Sequence, residues 1–518
     1  MPMNKQEAHA SMQRISGLSA PTATVLAVGV VAFALVAAHF FMGPANETIN
    51  NRDEFKYVML ADSFLHGQDL TTAVGVPVQY PPGWPLVLAA IKKFDGDFRA
   101  MHRTSAALVW LGGVLTVAYA ATFIPALPAI AVGLLFVTHG MSLQLGGRLM
   151  SEPLFVVFLV ATLLYLRVWY SPHRRPCLLL MGLLSAACMS VRTIGVVVWV
   201  AAVANEFISG RDGSRKIIHQ ALMISAIPLT YVVCLTVLQP EAAVDTDNRY
   251  VHDFIRNRID VGGATLGSLL QRTLSDLNLH ARDLLTAINP VAGLGPRWNM
   301  VETIGSISVL VLAGCGIILR RRETNFLLCS VPALYLGVHF LWPYFYPRFF
   351  WPLLPLIYTF AVIGADDIRR AALPAISSNM LYLLISLAAG VIAAYNLSGT
   401  DTYRGGAAAR DEAFRDGLNR SLITQAPDAS QVATISVFKL KYFAPYVEII
   451  PLPYRAEAED YWRIITSRHA GWLLIARNHD DYFASLLAQR PTHFTETYRD
   501  SRFSLYRVTT PERSRAEP

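Results

Sequence analysis

Two adjacent carboxylates, Asp53 and Glu54, follow closely on the first long apolar stretch of the chain. They can be explained structurally: Asn51 would cap a helix, Glu54 would close a capping box, and both acids would suit the positive end of the helix dipole. One acid is enough to close the box, so this explanation accounts less well for Asp53. The chemical alternative is a general base that takes the proton of an attacking hydroxyl at a membrane face. Tyr57, one helical turn on, would share that face.

Glu152 is a second acid beside an apolar run, and Arg148 precedes it by four residues. Ser151 or Glu152 can simply start a helix that has Pro153 at its first helical position. Alternatively, Arg148 and Glu152 form a second charged cluster at the membrane face that Asp53 occupies.

Two further arginines, Arg192 and Arg348, lie beside apolar runs. An arginine near the bilayer costs about 2.5–3.5 kcal/mol unless it is paired or reaches water. Snorkelling to the interface would explain Arg192, and an ordinary aromatic belt with one interfacial arginine would explain Arg348. Both residues also suit an anion, because a guanidinium group matches phosphate oxygens bidentately.

Membrane spans are the elements that must position these residues. Hydrophobic residues make up 53% of the 518 residues and charged residues only 16%, with a mean hydropathy of +0.38, whereas a soluble domain carries about 25% charged residues. Crossing a bilayer takes about 20 apolar residues. Eleven candidate spans lie at about 23–42, 104–124, 125–141, 151–170, 176–191, 193–208, 217–238, 302–319, 325–341, 349–365 and 374–395. The pair 176–191 and 193–208 can instead be one kinked helix or two half-buried ones.

The short basic clusters fix the orientation. With residues 1–22 as a cytoplasmic tail and eleven spans, these clusters fall on one side, as the positive-inside rule requires. The long segments 43–103, 239–300 and 396–518 then lie outside, and the acids and arginines described above share that outer face. The net charge of +7 therefore reflects topology and does not indicate nucleic-acid binding.

The first and last of these three outer segments differ in character. In 43–103, a helix-like stretch ends at Gly67, and residues 83–93 resemble an interfacial helix with Trp84 as a belt residue. Segment 396–518 has the composition of a soluble α/β domain. Its strand-like runs are QVATISV, YVEIIPLP, GWLLIA and FSLYRV. The chain has no P-loop, GxGxxG, HExxH or CxxC motif, so nucleotide hydrolysis and a structural zinc site have no sequence support.

Four segments, taken in this order, resemble the polytopic GT-C glycosyltransferases that use polyprenyl-phosphate sugars. They are RDEFKYVMLADSFLHGQDL, YPPGWPL, RLMSEPLF and YPRFFWPLLPLIY. That group includes the protein O-mannosyltransferases and the lipid A aminoarabinose transferases, and the resemblance covers about residues 20–395. It implies a polytopic all-α membrane protein in a bacterial inner membrane. The implied reaction moves a sugar from a polyprenyl-phosphate donor to a lipid, glycan or protein acceptor outside.

The resemblance also implies roles for individual residues. Asp53 would be the catalytic base, Glu152 the second acid of the site, and Arg192 and Arg348 the ligands of the donor phosphate. The remaining expected substrate-binding residues are Glu54, Tyr57, Tyr80 and Arg148. The aminoarabinose transferases tend to have Lys before the Pro-Pro element, where this chain has Tyr80. Some relatives use a divalent cation and others do not, and no ligand cluster in the sequence decides between them.

Two alternatives from other functional classes remain. A transporter or flippase of lipid-linked sugars would also carry charges in its spans, but often with broken helices near the midplane and repeat symmetry between its halves. An inactive scaffold would bind partners through the C-terminal domain. Only the transferase would move sugar from a polyprenyl-phosphate donor in vitro.

The orientation can be tested with a reporter fused after residue 396. The eleven-span arrangement, with its N-terminus inside, predicts an exported reporter because the number of spans is odd. A periplasmic phosphatase fusion and a cytoplasmic fluorescent fusion measure the two outcomes. Cytoplasmic signal at this position would contradict the arrangement.

Overall fold

The computed structural model describes the membrane part and much of the C-terminal part of the chain. The described residues are 29–34, 36–38, 52–67, 80–94, 97–169, 178–209, 214–238, 266–291, 299–319, 326–341, 346–398, 431–434, 447–452, 457–476, 480–499 and 503–509. Of the first predicted span, only helical residues between 29 and 38 are included, and Asn51 lies outside the described residues.

Residues 52–398 are mostly helical. The helices are α1 (Arg52–Leu65), α2 (Gly83–Phe94), α3 (Phe98–Ala120), α4 (Ala126–Thr138), α5 (Gly140–Gly146), α6 (Glu152–Trp169), α7 (Leu178–Val191), α8 (Val196–Ser209), α9 (Ser214–Leu238), α10 (Leu266–Ile288), α11 (Asn299–Leu319), α12 (Phe326–Leu341), α13 (Leu354–Ala372) and α14 (Ser378–Ser398). Helix α3 packs against α4 and α6, α7 against α9, and α11 against α13.

Within the described ranges, fewer helices than predicted are long and apolar enough to cross a membrane. Four pass: Arg215–Cys234, Glu302–Leu319, Pro347–Ala372 and Ser378–Ser398. A fifth results if α4 and α5, which are bent by 57° relative to each other, form one span. The predicted count of eleven is therefore not confirmed. Helices α7 and α8 show one reason, because each has 14 residues and is only about 21 Å long at 1.5 Å per residue.

The surfaces of these spans identify the solvent around them. Among the 18 most apolar consecutive residues of each span, only 17–22% are buried within the protein in three spans, whereas 89% are buried in Pro347–Ala372. The exposed side chains of α14 are large and apolar, with Leu387 58% and Val391 71% exposed. Such surfaces are stable in lipid and not in water. The chain is thus an integral membrane protein with the segment Pro347–Ala372 at the centre of its bundle.

Helices α1 and α2 form a packed pair at one end of the bundle. Helix α1 ends before Gly67, as predicted, and Gly67 takes the left-handed φ of 63° that suits glycine. The prediction for Trp84 is wrong: it is fully buried and its indole Nε1 donates a 3.1 Å hydrogen bond to the carbonyl of Leu149. Its ring joins the core because the start of α2 packs directly onto the segment before α6.

A sharp bend separates α7 from α8. Arg192 is extended, with φ −147° and ψ 136°, and a short 3-10 turn at Thr193–Gly195 follows. A Cβ atom on Gly195 would lie 2.4 Å from the carbonyl carbon of Cys188, so the bend requires glycine there. Of the two alternatives for residues 176–208, the structure has two short helices, with Arg192 where they meet.

The C-terminal residues form a separate α/β unit with its own core. In the part that is described, the strands are β1 (Gln431–Thr434), β2 (Glu448–Pro451), β3 (Trp472–Ala476), β4 (Phe494–Arg499) and β5 (Phe503–Val508), with helices α15 (Ala458–Ser467) and α16 (Asp480–Gln489). The sheet order is β2-β1-β3-β5-β4, with β1 parallel to both neighbours and β5 antiparallel to both of its own. Strand β4 was not predicted, because it is a polar edge strand in which only Phe494 is buried.

The bend at Gly195 yields a stability prediction. Gly195→Ala should destabilise the protein by about 1–3 kcal/mol, because the new methyl group meets backbone that must shift. Gly390→Ala in α14 is the matched control, since a Cβ atom there meets nothing within 4 Å and a helical Gly→Ala change is neutral or favourable. Thermal unfolding of the purified protein in detergent measures both. Equal melting temperatures for the two variants would contradict the prediction.

Candidate active site

Five segments that are distant in sequence bring charged and aromatic side chains together at one end of the bundle. Asp53 comes from the first turn of α1, and Tyr80 from the segment before α2. Glu152 is the first residue of α6, Arg192 occupies the bend, and Arg348 lies in the 3-10 turn Pro347–Phe349. Breaks and helix starts expose the polar ends of these segments to one another, which continuous helices could not do.

Both carboxylate oxygens of Asp53 accept hydrogen bonds. The hydroxyl of Tyr80 donates to Oδ1 at 2.8 Å, and Nη2 of Arg348 donates to Oδ2 at 2.6 Å. The side chains of Asp53 and Arg348 are 21% and 17% exposed, so this ion pair reaches the protein surface. Asp53 is therefore oriented from both sides while it stays accessible.

Glu152 is neutralised by two arginines in the interior. Its Oε1 lies 2.6 Å from Nη1 of Arg192 and 3.6 Å from Nε of Arg348, and its side chain is only 1% exposed. Arg348 thus bridges the two acids. The order of charges is Asp53, Arg348, Glu152, Arg192, and the two negative and two positive charges balance.

The surroundings of Asp53 keep it ionised. Burial by itself raises the pKa of the Asp53 carboxyl, but the charge of Arg348 and hydrogen bonds from Arg348 and Tyr80 outweigh that effect. Lys56 adds a smaller effect in the same direction, and the net pKa lies below the usual value for aspartate. Asp53 is consequently a carboxylate at neutral pH, able to accept a proton.

Aromatic rings hold the two arginines in place. The guanidinium groups of Arg192 and Arg348 lie 5.5 Å and 5.4 Å from the ring centroid of Phe349, within cation–π range. His339 stacks on the same ring at 5.4 Å, and the hydroxyl of Tyr335 donates to the Phe349 carbonyl at 2.8 Å. The turn that carries Arg348 is therefore fixed from α12.

The other predicted site residues differ in their placement. Tyr57 is buried, with its hydroxyl 3.0 Å from the hydroxyl of Ser151, which also receives Nη1 of Arg192 at 3.4 Å. Burial raises the pKa of Tyr57, so it remains a neutral phenol. Glu54 is fully buried at the third position of α1. Arg148 is half-buried, and its side chain makes no ion pair or hydrogen bond with the described residues.

Lys56 and Ser151 belong to the site but were not predicted. The ammonium of Lys56 lies 3.2 Å from the hydroxyl of Tyr80 and 4.9 Å from the centroid of its ring. A signal existed for Lys56, because residues three apart on a helix share a face, and Lys56 follows Asp53 by three. Ser151 adjoins Glu152 in sequence, but its role as a link between Tyr57 and Arg192 depends on tertiary contacts.

The carboxylate oxygens of this site are not arranged to coordinate a divalent cation. Mg²⁺ and Ca²⁺ require several free oxygen ligands, but Asp53 and Glu152 are both engaged by arginine. Across the ranges that the structure covers, no three His, Cys, Asp or Glu side chains are grouped so that they could hold a metal ion. The positive charge of the site comes from its guanidinium groups.

No family model and no curated protein matches the chain, but solved structures do. ArnT from Cupriavidus metallidurans, bound to undecaprenyl phosphate, superposes with a TM-score of 0.57 at 13% identity, over 93% of this chain and 98% of that one. The oligosaccharyltransferase of Archaeoglobus fulgidus in complex with Zn and sulfate gives 0.58 at 12% identity, over 93% and 73%. The same organism's AglB, with an inhibitory peptide and a dolichol-phosphate, gives 0.54 at 11% identity, over 94% and 74%.

These matches confirm the resemblance to GT-C enzymes at the level of the fold. They extend over more than nine-tenths of this chain, so the shared architecture includes both the helical bundle and the C-terminal part. Sequence identities of 11–13% carry no residue roles from one protein to another. The chemistry of this chain has to be argued from its own side chains.

The buried pair of Glu152 and Arg192 leads to a second stability prediction. Arg192→Met should destabilise the protein by about 3 kcal/mol or more, because it leaves a buried carboxylate with only the longer contact to Arg348. The double change Arg192→Met with Glu152→Gln should recover most of that loss, since no uncompensated charge remains. Thermal unfolding measures the three proteins.

Arg463→Met is the matched control for this experiment. Arg463 pairs with Asp460 at the surface, with 74% of its side chain exposed, so its loss should change stability by less than about 1 kcal/mol. If Arg192→Met is as stable as Arg463→Met, the pair with Glu152 does not stabilise the fold.

Proposed function

We propose that this protein is a membrane glycosyltransferase that moves a sugar from a polyprenyl-phosphate donor to an acceptor hydroxyl. The observation that carries the proposal is the contact between an ionised, accessible carboxylate, Asp53, and the guanidinium of Arg348. A base for the acceptor and a cation for a phosphate are the two groups that this reaction needs. The shared fold supports the assignment, because ArnT is bound to undecaprenyl phosphate and AglB to a dolichol-phosphate.

The reaction is a single displacement at the anomeric carbon. Asp53 accepts the proton of the acceptor hydroxyl, and the acceptor oxygen forms a bond to the anomeric carbon. The bond from that carbon to the phosphate oxygen breaks, and its electron pair leaves with the polyprenyl phosphate. Attack opposite the leaving group inverts the anomeric centre, and the proton stays on Asp53 until water removes it.

The arginines serve the leaving group. A polyprenyl phosphate gains negative charge as the bond breaks, and guanidinium groups that face it lower the barrier because they stabilise the developing charge. Arg348 is the better placed of the two, since its side chain contacts Asp53 and is partly exposed. Arg192 balances the charge of Glu152 through an ion pair at 2.6 Å, and Glu152 in turn positions both arginines. The remaining proposed substrate-binding residues lie at the same end of the bundle or adjoin it in sequence. They are Tyr80, Tyr57, Glu54 and Arg148.

The proposal includes a location. The chain consists of a cytoplasmic tail (1–22), a transmembrane transferase domain (23–395) and a soluble outer domain (396–518), in a bacterial inner membrane. Asp53 then faces the outer side, where a lipid, glycan or protein acceptor is reached. The polyprenyl chain would lie along the apolar, lipid-facing surface of the bundle, and its phosphate would reach the site from the membrane interface.

A transporter or flippase of lipid-linked sugars is the second candidate. Two interrupted apolar helices favour it, one bent by 57° between α4 and α5 and one broken at Arg192, because transporters build their sites from discontinuous helices. Both candidates bind the lipid phosphate, but only a transferase consumes the donor and needs a base. Release of free polyprenyl phosphate therefore separates them.

Asp53→Asn is the direct test of the base. The amide keeps the shape of the carboxylate but cannot take a proton at neutral pH, so the transfer rate should fall about 10²–10⁴-fold. The assay follows polyprenyl-phosphate release by the purified full-length protein from a panel of polyprenyl-phosphate sugars, with membranes from a strain that lacks the protein as the acceptor source.

Asp62→Asn is the matched control, because Asp62 lies on the same helix and pairs with Lys92. It should retain the rate of the unmodified protein. Normal transfer by Asp53→Asn would exclude Asp53 as the base. No donor consumption by the unmodified protein, together with movement of donor between leaflets, would favour the flippase.

A further inference from the structure

Asp53 and Arg348 are bonded to each other through the atoms that the proposed reaction requires of each. Nη2 of Arg348 lies 2.6 Å from Oδ2 of Asp53. Arg348 is the guanidinium proposed for the phosphate, and Asp53 is the carboxylate proposed for the acceptor proton. While the pair is intact, this N–H group and this lone pair are engaged with each other.

The site is built so that Arg348 can move without leaving a buried charge. Glu152 is 1% exposed and must stay neutralised, but Arg192 does this at 2.6 Å, whereas Arg348 is 3.6 Å away. The remaining contacts of Arg348 are not with charged groups. They are the rings of Tyr346 and Phe349, at 5.2 and 5.4 Å, and Sδ of Met150, at 3.8 Å. Displacement of Arg348 therefore costs its bond with Asp53 and its longer contact with Glu152, but it leaves Glu152 paired with Arg192.

Asp53 stays in position when Arg348 moves. Its Oδ1 is held by the hydroxyl of Tyr80 at 2.8 Å, and that hydroxyl is in turn contacted by the ammonium of Lys56 at 3.2 Å. Loss of Arg348 thus removes one hydrogen bond from Oδ2, while Tyr80 still orients the carboxylate. Freed from one cation, the carboxylate is also a stronger base.

We propose that the donor phosphate and Asp53 compete for Arg348, so that donor binding releases the base. This inference rests on the proposed function and adds an order to it: donor first, then activation of the acceptor. Charge also explains how the pair between Asp53 and Arg348 forms again after transfer. Transfer leaves a neutral Asp53 and a phosphate with one more negative charge, so Arg348 remains with the product until Asp53 loses its proton and competes again.

The test is a double-mutant cycle on binding, which needs no turnover. Undecaprenyl phosphate is titrated into the full-length protein in nanodiscs, and the dissociation constant is measured for the unmodified protein, Asp53→Asn, Arg348→Met and the double variant. Asp53→Asn should bind about fivefold more tightly, the effect of removing a partly exposed, hydrogen-bonded ion pair that competes with the ligand. In the Arg348→Met background the same change should have no effect.

The cycle separates competition from plain repulsion. If Asp53 only repelled the phosphate through space, Asp53→Asn would tighten binding equally in both backgrounds, and the inference would be overturned. Unchanged binding of Asp53→Asn would overturn it too. Non-additivity is the signature of the shared guanidinium.

Two controls complete the experiment. Asp62→Asn, which removes a carboxylate from the same helix, should leave the affinity unchanged, and undecaprenol, which lacks the phosphate, should bind all variants alike. If the unmodified protein does not bind undecaprenyl phosphate at all, the proposed function fails together with the inference. Binding without the expected cycle overturns the inference alone.

Discussion

A carboxylate sealed inside an apolar bundle is the constraint on which the rest of this structure depends. Glu152 is 1% exposed, and an uncompensated charge in such surroundings costs several kcal/mol. Its neutralisation requires Arg192 at the bend between α7 and α8 and also involves Arg348 from the distant turn Pro347–Phe349. Three segments that could pack in many ways as apolar helices are thereby given one relative arrangement.

The four charged residues differ in how closely they are involved in neutralising the buried charge of Glu152. Glu152 and Arg192 are closely paired beneath the surface, and Ser151, Tyr57 and Phe349 complete their contacts. Asp53 and Arg348 form the outer pair, which is about one-fifth exposed. A fixed inner pair and an accessible outer pair give a site that keeps its geometry while one of its ion pairs exchanges partners.

That these charged residues lie at one end of the bundle could be predicted from the sequence, but which of them pair with each other could not. Alternating apolar runs and short basic clusters assign Asp53, Glu152, Arg192 and Arg348 to one face without tertiary information. That Arg348 bonds Asp53, 295 residues away, depends on how helices pack. The span count was not confirmed because the helices on either side of Arg192 have only 14 residues each and the predicted span 125–141 is broken at His139. Trp84 was misassigned since an indole near an interface and one buried against a backbone carbonyl have the same sequence context.

A low pKa of Asp53 is compatible with its proposed role as the base. A phosphate is a good leaving group, so bond cleavage at the anomeric carbon can run ahead of proton transfer, and the acceptor hydroxyl becomes acidic only as it bonds to carbon. For a base in this reaction, ionisation and correct orientation matter more than a high pKa. Tyr80 orients the carboxylate, and Arg348 keeps it ionised until the donor binds. Glu152 lacks the accessibility that the task requires, because its burial reserves it for positioning the arginines.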